Sequence, residues 1–367
     1  MLKTYKYRLY PNKEQEEYFA KCFGCVRFIY NRMLSDKIEY YKKTKKNLNN
    51  TPAQYKDEFP WLKEVDSLAL ANAQMNLQSA YNNFFKRPDS GFPKFKSKKN
   101  NHFSYKTNNR VKSISVSAKY IKLPKIGLVK IKRHRQFDGI VKSAVISKVP
   151  SGKYYVSVLV DITGNDLLED SKRKIGIDLG IKEFAITSDG EMIENPKYFR
   201  KSEKKLRKLQ KDLSRCKKES KNREKCRIKV AKQHEKIANQ RKDFLHKLSK
   251  RIICENQTIV LENLKVKNMM SNRKLSKPIS DVSWSEFVKQ VEYKSNWYGR
   301  ELIKISTWFP SSQICSNCGH KDGKKSLSIR EWTCPECGKH HERDINAAIN
   351  ILNEGIRIRT VGDTGID

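Results

Sequence analysis

The chain has 367 residues, which is enough for two or three domains. Lys and Arg number 77 against 40 Asp and Glu, so the formal net charge is +37, and the 16 Tyr, 15 Phe and 5 Trp argue against a disordered chain. So large a positive excess predicts a polyanionic partner, with nucleic acid the first candidate and an anionic membrane the second. The sequence has no apolar run of about 18 residues and no signal-peptide core at its N-terminus. We therefore expect a globular cytoplasmic protein that binds nucleic acid, either an enzyme or a structural protein of the ribosomal type.

The first 90 residues are expected to be mostly helical after one short strand. Asn12, with Gln15 three positions later, forms a capping-box pattern that predicts the start of a helix. Cys22 and Cys25 fall on apolar positions of this helix, so we interpret them as buried thiols rather than metal ligands. The predicted elements are a strand at residues 3–10, a helix from Asn12 through Met33, a basic loop at 42–50 and a helix from Asp66 to Lys86.

After a loop at 87–102, short β-like runs separated by Gly and Pro are typical of a small barrel or sandwich. We expect the strand at 3–10 to join this sheet, which makes the helical region an insertion in it. A polar linker follows at 163–173. The predicted strands are Phe103–Thr107, Val111–Val116, Tyr120–Leu123, Leu128–Ile131, Val141–Val149 and Tyr154–Ile162.

The remainder of the chain mixes buried strands with helices. Residues 201–250 contain 20 Lys or Arg against 6 Asp or Glu, with apolar residues at helical spacing. This pattern predicts an antiparallel helical hairpin that turns near 218–223, and its charge favours a phosphate-facing surface over a merely solvated one. The other predicted elements are two strands around 175–187, a strand at 258–262, a helix at 281–300, a strand at 302–306 and a helix from Asp344.

Four cysteines form two Cys-x-x-Cys pairs near the C-terminus: Cys315, Cys318, Cys334 and Cys337. Four thiolates make a closed tetrahedral site, which is the arrangement of structural zinc and leaves no position for a substrate. We therefore predict one structural Zn²⁺ at this cluster. The neighbouring histidines, His320, His340 and His341, are expected to be spare and to face solvent.

Three carboxylates occupy positions suited to metal-dependent phosphodiester chemistry. Asp178 lies in an apolar strand, Glu262 ends another, and Asp344 opens an apolar helix. A carboxylate at a buried strand end is costly unless it is paired or bound to metal. Asp344 as a simple helix cap and Glu262 as a partner of Arg or Lys are the structural alternatives. Together, in a chain of charge +37, the three suggest two Mg²⁺ ions that clamp a scissile phosphate.

The motifs resemble the TnpB family, the OrfB proteins of bacterial insertion sequences. The resemblance covers essentially the whole chain, in the family's order. It rests on Tyr7-Arg-Leu-Tyr-Pro-Asn, Tyr30-Asn-Arg-Met-Leu, Gly91-Phe-Pro-Lys-Phe-Lys, Ile175-Gly-Ile-Asp178-Leu-Gly, Val260-Leu-Glu262-Asn-Leu, Pro310-Ser-Ser-Gln, the two Cys pairs and Arg343-Asp344-Ile-Asn-Ala-Ala.

This resemblance implies an α+β multidomain protein with an RNase H-like (RuvC) α/β nuclease domain. The implied domains are a β-barrel wedge domain at 1–10 and 96–165, a helical recognition domain at 11–95, and the nuclease domain at 170–367. Within the nuclease domain lie the basic hairpin, 201–252, and a zinc-binding target-strand loading insertion, 311–341. The chain ends at Asp367, where many members continue into a basic tail, which leaves the guide-RNA contacts of such a tail in question.

The resemblance also implies an RNA-guided DNA endonuclease that resembles the ancestors of type V CRISPR effectors. Members bind a transposon-derived guide RNA (ωRNA), one protein per RNA, recognise a short target-adjacent motif and cleave both strands of duplex DNA. They are bacterial or archaeal cytoplasmic proteins, at the nucleoid when bound to DNA. Asp178, Glu262 and Asp344 match the catalytic positions one by one, with Asp178 expected to bridge both Mg²⁺ ions.

Nucleic-acid contacts are expected at Ser67, Thr107 and Asn108, near the implied motif reader, and at Lys204, Lys205, Lys208 and Lys211 on the hairpin. Three alternatives stay open. They are a guided DNA-binding protein or repressor without cleavage, an accessory DNA transposase, and a structural RNA-binding protein. The intact carboxylate trio argues against the first, and nothing in the sequence resembles a Tyr or His-hydrophobic-His transposase site.

Overall fold

The computed structural model describes residues 1–100, 103–164, 167–271, 273–326 and 328–363. The chain divides into two compact units, Met1–Gly164 and Asn165–Asp367. The end of the predicted loop at 87–102 and part of the linker at 163–173 lie outside the described residues, as do the last four residues. None of the described helices combines the length and apolar character needed to cross a membrane.

Unit 1 is built on a seven-stranded antiparallel sheet with the strand order β2-β6-β7-β1-β5-β4-β3. The N-terminal strand lies between β7 and β5, which confirms the expectation that it joins this sheet. The strands are β1 Leu2–Tyr10, β2 Phe103–Asn108, β3 Ser115–Val116, β4 Tyr120–Leu123, β5 Gly127–Lys132, β6 Ile140–Lys148 and β7 Tyr154–Asp161.

Two helices, α1 (Lys13–Thr44) and α2 (Ser67–Lys86), connect β1 to the rest of the sheet. The predicted capping box is present. The Gln15 backbone N–H donates to Asn12 Oδ1 (2.8 Å), and the Asn12 N–H donates to Gln15 Oε1 (3.2 Å). Cys22 and Cys25 are buried in the core shared by α1 and the sheet, as expected of apolar positions. α1 continues to Thr44, beyond the start of the loop predicted at 42–50.

The predicted strand at Val111–Val116 is wrong over its first half. Val111 and Lys112 have φ of 49° and 54°, the left-handed region that a strand cannot contain. The cause is a local turn held by Asn109, whose Oδ1 accepts from the Ile114 N–H (2.9 Å) and whose amide donates to the Val141 carbonyl (2.8 Å). Strand pairing begins only at Ser115.

Unit 2 contains a mixed five-stranded sheet with the order β10-β9-β8-β11-β12. The three strands β8, β11 and β12 run parallel, whereas β9 and β10 are antiparallel additions at one edge. The strands are β8 Lys174–Leu179, β9 Glu183–Thr187, β10 Met192–Glu194, β11 Thr258–Glu262 and β12 Glu301–Ile305, with a separate pair β13 Glu331–Thr333 and β14 His340–Glu342.

Six helices accompany this sheet in the described residues, and α3 and α4 form the predicted basic hairpin. The helices are α3 Tyr198–Arg215, α4 Lys221–Glu255, α5 Val266–Met269, α6 Arg273–Val282, α7 Trp284–Tyr298 and α8 Arg343–Asp363. The single helix predicted at 281–300 is wrong at its start. Ser283 takes a left-handed φ of 60°, which separates α6 from α7.

Candidate active site

Asp178 and Glu262 are placed side by side by the parallel pairing of β8 and β11. The register sets Ile177 opposite Leu261, so the next residue of each strand is a carboxylate. Parallel strands with matched register project aligned residues from the same face of the sheet. Both side chains are half-buried, and both lie at the carboxyl ends of their strands, where ligands collect in open α/β sheets.

Asp344 reaches the same face because α8 lies very close to the sheet. A Cβ on Gly176, two residues before Asp178, would overlap the Ala348 carbonyl oxygen and would lie 2.7 Å from the Leu352 backbone nitrogen. At the other end of the contact, a Cβ on Gly355 would overlap the side chain of Val260. Two glycines thus allow a backbone approach that any side chain would block. The first turn of α8, which carries Asp344, therefore points to the end of the strands where the other two carboxylates lie.

The other two carboxylates act electrostatically on Asp178. Burial, reinforced by the charges of Glu262 and Asp344, raises the pKa of Asp178 to about 7. Burial also raises the pKa of Glu262, against the opposing effect of a hydrogen bond from Ser311. Carboxylates this close together cannot all ionise without a large electrostatic cost. A divalent cation would neutralise their repulsion, so this set of oxygen donors fits Mg²⁺.

Two polar side chains hold these carboxylates in place. The Ser311 hydroxyl donates to Glu262 Oε1 (2.8 Å), and Arg330 Nη1 donates to Asp344 Oδ2 (2.9 Å). Sequence reasoning missed both. Ser311 belongs to the Pro310-Ser-Ser-Gln motif quoted for the family, whereas Arg330 has no signal in the sequence, because its partner is set only by the folded chain.

The four cysteines of the two Cys pairs come together as predicted. Their Sγ atoms all lie within 4.8 Å of one another, with 3.7 Å between Cys315 and Cys337 and 3.6 Å between Cys318 and Cys334. A tetrahedral ion with metal–sulfur bonds of about 2.3 Å separates its thiolates by roughly 3.8 Å. The cluster can therefore hold one structural metal ion. Within the part of the chain that the structure describes, no other group of three His, Cys, Asp or Glu residues is gathered as closely.

Each Cys pair sits in the same knuckle turn. The Gly319 N–H donates to the Cys315 carbonyl and the Gly338 N–H to the Cys334 carbonyl, both at 2.9 Å. Both glycines have positive φ, 77° and 69°, which such a turn requires and other residues rarely adopt.

The prediction that all three neighbouring histidines face solvent is wrong for His341. This ring is buried and packs against Trp332 at an interplanar angle of 33°, with 4.9 Å between ring centroids. Its Nε2 lies 3.0 Å from Cys315 Sγ. β13 pairs with β14 and sets Trp332 opposite His341, so the strand register explains the burial. His340, the next residue back, is exposed.

The predicted nucleic-acid contacts in unit 1 differ in accessibility. Ser67 is exposed and its hydroxyl accepts from Lys56 Nζ (3.1 Å), and Asn108 is half-buried at the end of β2. Thr107 is fully buried, and its hydroxyl donates to the carboxylate of Asp66, the residue that caps α2. The Thr107 side chain therefore holds α2 against the sheet instead of facing solvent.

The predicted contacts in unit 2 lie on the outer surface of the hairpin. Leu206 is buried, whereas the lysines around it are exposed. The structure thus turns the apolar seam inward and presents the charge to solvent, on Lys204, Lys205, Lys208 and Lys211.

Comparison with known proteins places these features in a family. A protein of Streptomyces pristinaespiralis named "Putative RNA-guided DNA endonuclease" is 37% identical over 98% of this chain and 91% of its own length. The chain belongs to the TnpB family. A similarly named protein of Escherichia coli K12 is 31% identical over 99% of this chain and 94% of its own, and a TnpB-like protein of Acanthamoeba polyphaga mimivirus is 23% identical over 96% and 73%.

Three family profiles match successive parts of this TnpB chain: a helix-turn-helix domain at 1–46, a probable transposase at 157–273 and a Cas12f1-like TNB domain at 284–351. The first of these regions folds as β1 followed by the single continuous helix α1. Among solved structures, the Cas12f1–sgRNA–target DNA complex contains a similar fold, with a TM-score of 0.59 and 17% identity over 93% of this chain and 83% of that one.

Proposed function

We propose that this chain is an RNA-guided DNA endonuclease that cleaves duplex DNA by Mg²⁺-dependent phosphodiester hydrolysis. The observation that carries the proposal is the convergence of Asp178 and Glu262, on adjacent parallel strands, with Asp344, on the helix that crosses them. Similarity to relatives named as RNA-guided DNA endonucleases supplies the guide RNA and the DNA target as partners. The fold shared with a Cas12f1 complex is consistent with this function.

The domain assignment is part of the proposal. We assign the mixed sheet with α8 to an RNase H-like (RuvC) nuclease domain at 170–367. The antiparallel sheet of unit 1 becomes a β-barrel wedge domain, 1–10 and 96–165, and α1 with α2 the helical recognition domain, 11–95. The Cys cluster holds one structural Zn²⁺ within the target-strand loading insertion, 311–341.

The residues of the site divide the work between them. Asp178, Glu262 and Asp344 would hold the divalent cations, which supply Lewis-acid activation of water and neutralise charge at the scissile phosphate. Ser311 orients Glu262 by its hydrogen bond, so that this carboxylate keeps one rotamer. Arg330 neutralises Asp344 through its ion pair, and this carboxylate would have to exchange that partner for a cation in order to serve as a metal ligand.

Guided plasmid cleavage tests the proposal. Full-length protein with its copurified RNA is incubated with Mg²⁺ and a matching target, beside Asp178→Ala, Glu262→Ala and Asp344→Ala. Each variant should lose cleavage of both strands yet keep RNA binding and guided DNA binding, because charge and base pairing carry those. Asp243→Ala, which removes an exposed carboxylate from α4, is the matched control and should cut normally. If one of these three variants cuts at near the wild-type rate, the residue it replaces is not part of the catalytic site.

A guided DNA-binding protein without cleavage is the second candidate. One observation favours it: the carboxylate of Asp344 is already ion-paired with Arg330. The same assay separates the two functions. Wild-type protein that binds the guided target and leaves both strands intact in Mg²⁺ supports the second candidate and excludes the first.

A further inference from the structure

A cavity of about 490 Å³ opens in unit 1 between the C-terminal ends of α1 and α2. Its aromatic wall consists of Tyr41 from α1, Tyr81, Phe84 and Phe85 from the last turns of α2, and Phe92 from the loop that follows. All of these belong to the same unit, and none is near the carboxylates or the Cys cluster in sequence. The cavity is therefore not formed by the residues of either site.

The aromatic wall is open to solvent. Phe85 is 76% exposed and Phe92 45% exposed, although each is held by an edge contact with Phe84, at 5.1 and 5.4 Å between ring centroids. Phe85 also stacks on Tyr81 at an interplanar angle of 18°. The rings are thus fixed against one another while flat faces stay uncovered. Contiguous exposed apolar surface of this kind marks a binding site more often than an isolated exposed side chain does.

The charged side chains among the described lining residues are all positive. Lys37 and Lys42 supply cations, Asn47 and Gln78 supply amide groups that can both donate and accept, and the lining includes no carboxylate among the described residues. Aromatic faces stack on nucleobases, amides read base edges, and lysines contact the adjoining phosphates. The chemistry of the cavity matches an unpaired nucleotide.

Charge decides between nucleic acid and a second copy of this chain. Each copy carries +37, and the end of α1 beside the cavity adds Lys43, Lys45 and Lys46, so two such surfaces would repel each other. A polyanion is attracted by the same charges. RNA is favoured over DNA, because loops and bulges of a folded RNA already present unstacked bases, whereas bases of duplex DNA are paired and stacked.

We propose that this cavity binds one unpaired base of the guide RNA, stacked on Phe85 and Phe92. The proposal rests on the proposed function, which supplies the RNA. It adds a site in the helical region that grips the RNA by stacking, independently of the phosphate contacts that the lysines make across the molecule.

The test uses full-length protein and the RNA that copurifies with it, extracted and end-labelled. Phe85→Leu and the double variant Phe85→Leu/Phe92→Leu keep an apolar side chain but remove the flat faces. Without base stacking, RNA binding should weaken by roughly tenfold in the double variant, within the range of about 5- to 150-fold that stacking energies imply. The salt dependence of binding should not change, because the substitutions remove no charge. Phe95→Leu, 55% exposed in the same loop but outside the lining, should bind like wild type.

Each result has one interpretation. Wild-type affinity in the folded double variant overturns the cavity proposal and leaves the proposed function standing, whereas wild-type protein that carries no RNA overturns the proposed function itself. Weaker binding only to a single-stranded DNA oligonucleotide would assign the cavity to a DNA base, and a dimer that dissociates on substitution would assign it to a second copy. Phe85→Leu alone guards against misfolding, and a photo-crosslink from an RNA base to the peptide with Phe85 or Phe92 supports the proposal directly.

Discussion

The position of Asp178 is costly when no metal neutralises it. Its carboxyl is half-buried beside two other carboxylates, and these surroundings raise its pKa from 3.8 to about 7. A raised pKa means that the folded state binds this proton more tightly than the unfolded state does. The associated stability is fully present below about pH 4 and disappears as the pH rises through about 7.

Replacing Asp178 with Asn should therefore stabilise the metal-free protein at high pH. We expect the variant to exceed wild type by roughly 2 kcal/mol at pH 8, about half of what the full pKa change implies, because solvent reaches this side chain. The difference should vanish at pH 4. Thermal unfolding in Mg²⁺-free buffer without chelator at pH 4, 6 and 8 measures it.

Mg²⁺ should make wild type more stable than Asp178→Asn at pH 8, because only wild type offers the cation a complete set of three carboxylates. Asp189→Asn, which removes an exposed carboxylate paired with Arg173, serves as the control and should show neither effect. A wild-type protein more stable than Asp178→Asn in Mg²⁺-free buffer at pH 8 would contradict the electrostatic account.

At the scale of single residues, the sequence shows which side chains are energetically costly to bury better than it shows which residues they contact. Asp178 and Glu262 stand out because a carboxylate in an apolar strand is costly to bury unless it is paired or bound to a metal. Ser311 and Arg330 do not stand out in this way. Ser311 belongs to a family motif, but it lies 49 residues from Glu262, and the motif does not reveal that contact. The burial of His341 was missed for a related reason, because it follows from the pairing of two three-residue strands.

Among the elements, the two Cys knuckles are expected to depend on a bound metal ion. They hold only a small cluster of buried side chains, so a bound ion would supply much of their stability. Cys315→Ser should release one equivalent of zinc and loosen residues 311–341, as measured by metal analysis and by hydrogen exchange of this segment. Cys254→Ser, at an exposed cysteine on α4, should keep its zinc. Native protein without zinc would end this interpretation.

The contact between α8 and β8 depends on Gly176. An added Cβ would overlap the Ala348 carbonyl oxygen and would meet the Leu352 nitrogen at 2.7 Å, and both are backbone atoms that can yield only if the helix moves. Gly176→Ala should destabilise unit 2 by about 1–3 kcal/mol, measured by thermal unfolding, and should reduce cleavage, because Asp344 moves with the helix.

Gly91 provides the comparison, since a Cβ there would meet nothing within 4 Å. Gly91→Ala should therefore leave both thermal stability and cleavage unchanged. If Gly176→Ala has wild-type stability and cuts normally, the close approach of α8 does not position Asp344.

The helices and strands were predictable where a single hydrophobic periodicity continued without interruption. The strands that carry Asp178 and Glu262, the capped start of α1 and the basic hairpin all follow from local pattern. The wrong predictions at 111–116 and 281–300 both fail at residues in left-handed conformation, Val111, Lys112 and Ser283, where an apolar pattern would otherwise continue. The close packing of α8 on the sheet could not be predicted from the sequence, because a glycine in a strand does not identify the element that packs against it.

Much of the molecule's net charge of +37 lies on the basic hairpin, where charged and apolar residues occupy different faces. Residues 201–250 alone hold 20 Lys or Arg against 6 Asp or Glu, and the hairpin places its few apolar residues on the inner seam. Exposed lysines gain little from distant carboxylates in water, so their density is explained by an external polyanion. The hairpin is therefore expected to act as an electrostatic surface for the guide RNA or the guide–target duplex.

Reversing Lys204, Lys205, Lys208 and Lys211 to Glu tests this surface. All four are exposed on α3, so the helix should remain folded by circular dichroism. RNA binding should weaken, and the slope of log affinity against log salt should fall by roughly one unit for each phosphate that the variant no longer neutralises. Replacing the same four lysines with Arg keeps the charge and should keep the slope, which separates the effect of charge from the effect of shape. Unchanged affinity and slope in the Glu variant would show that the RNA lies elsewhere and that the charge of this hairpin serves another partner.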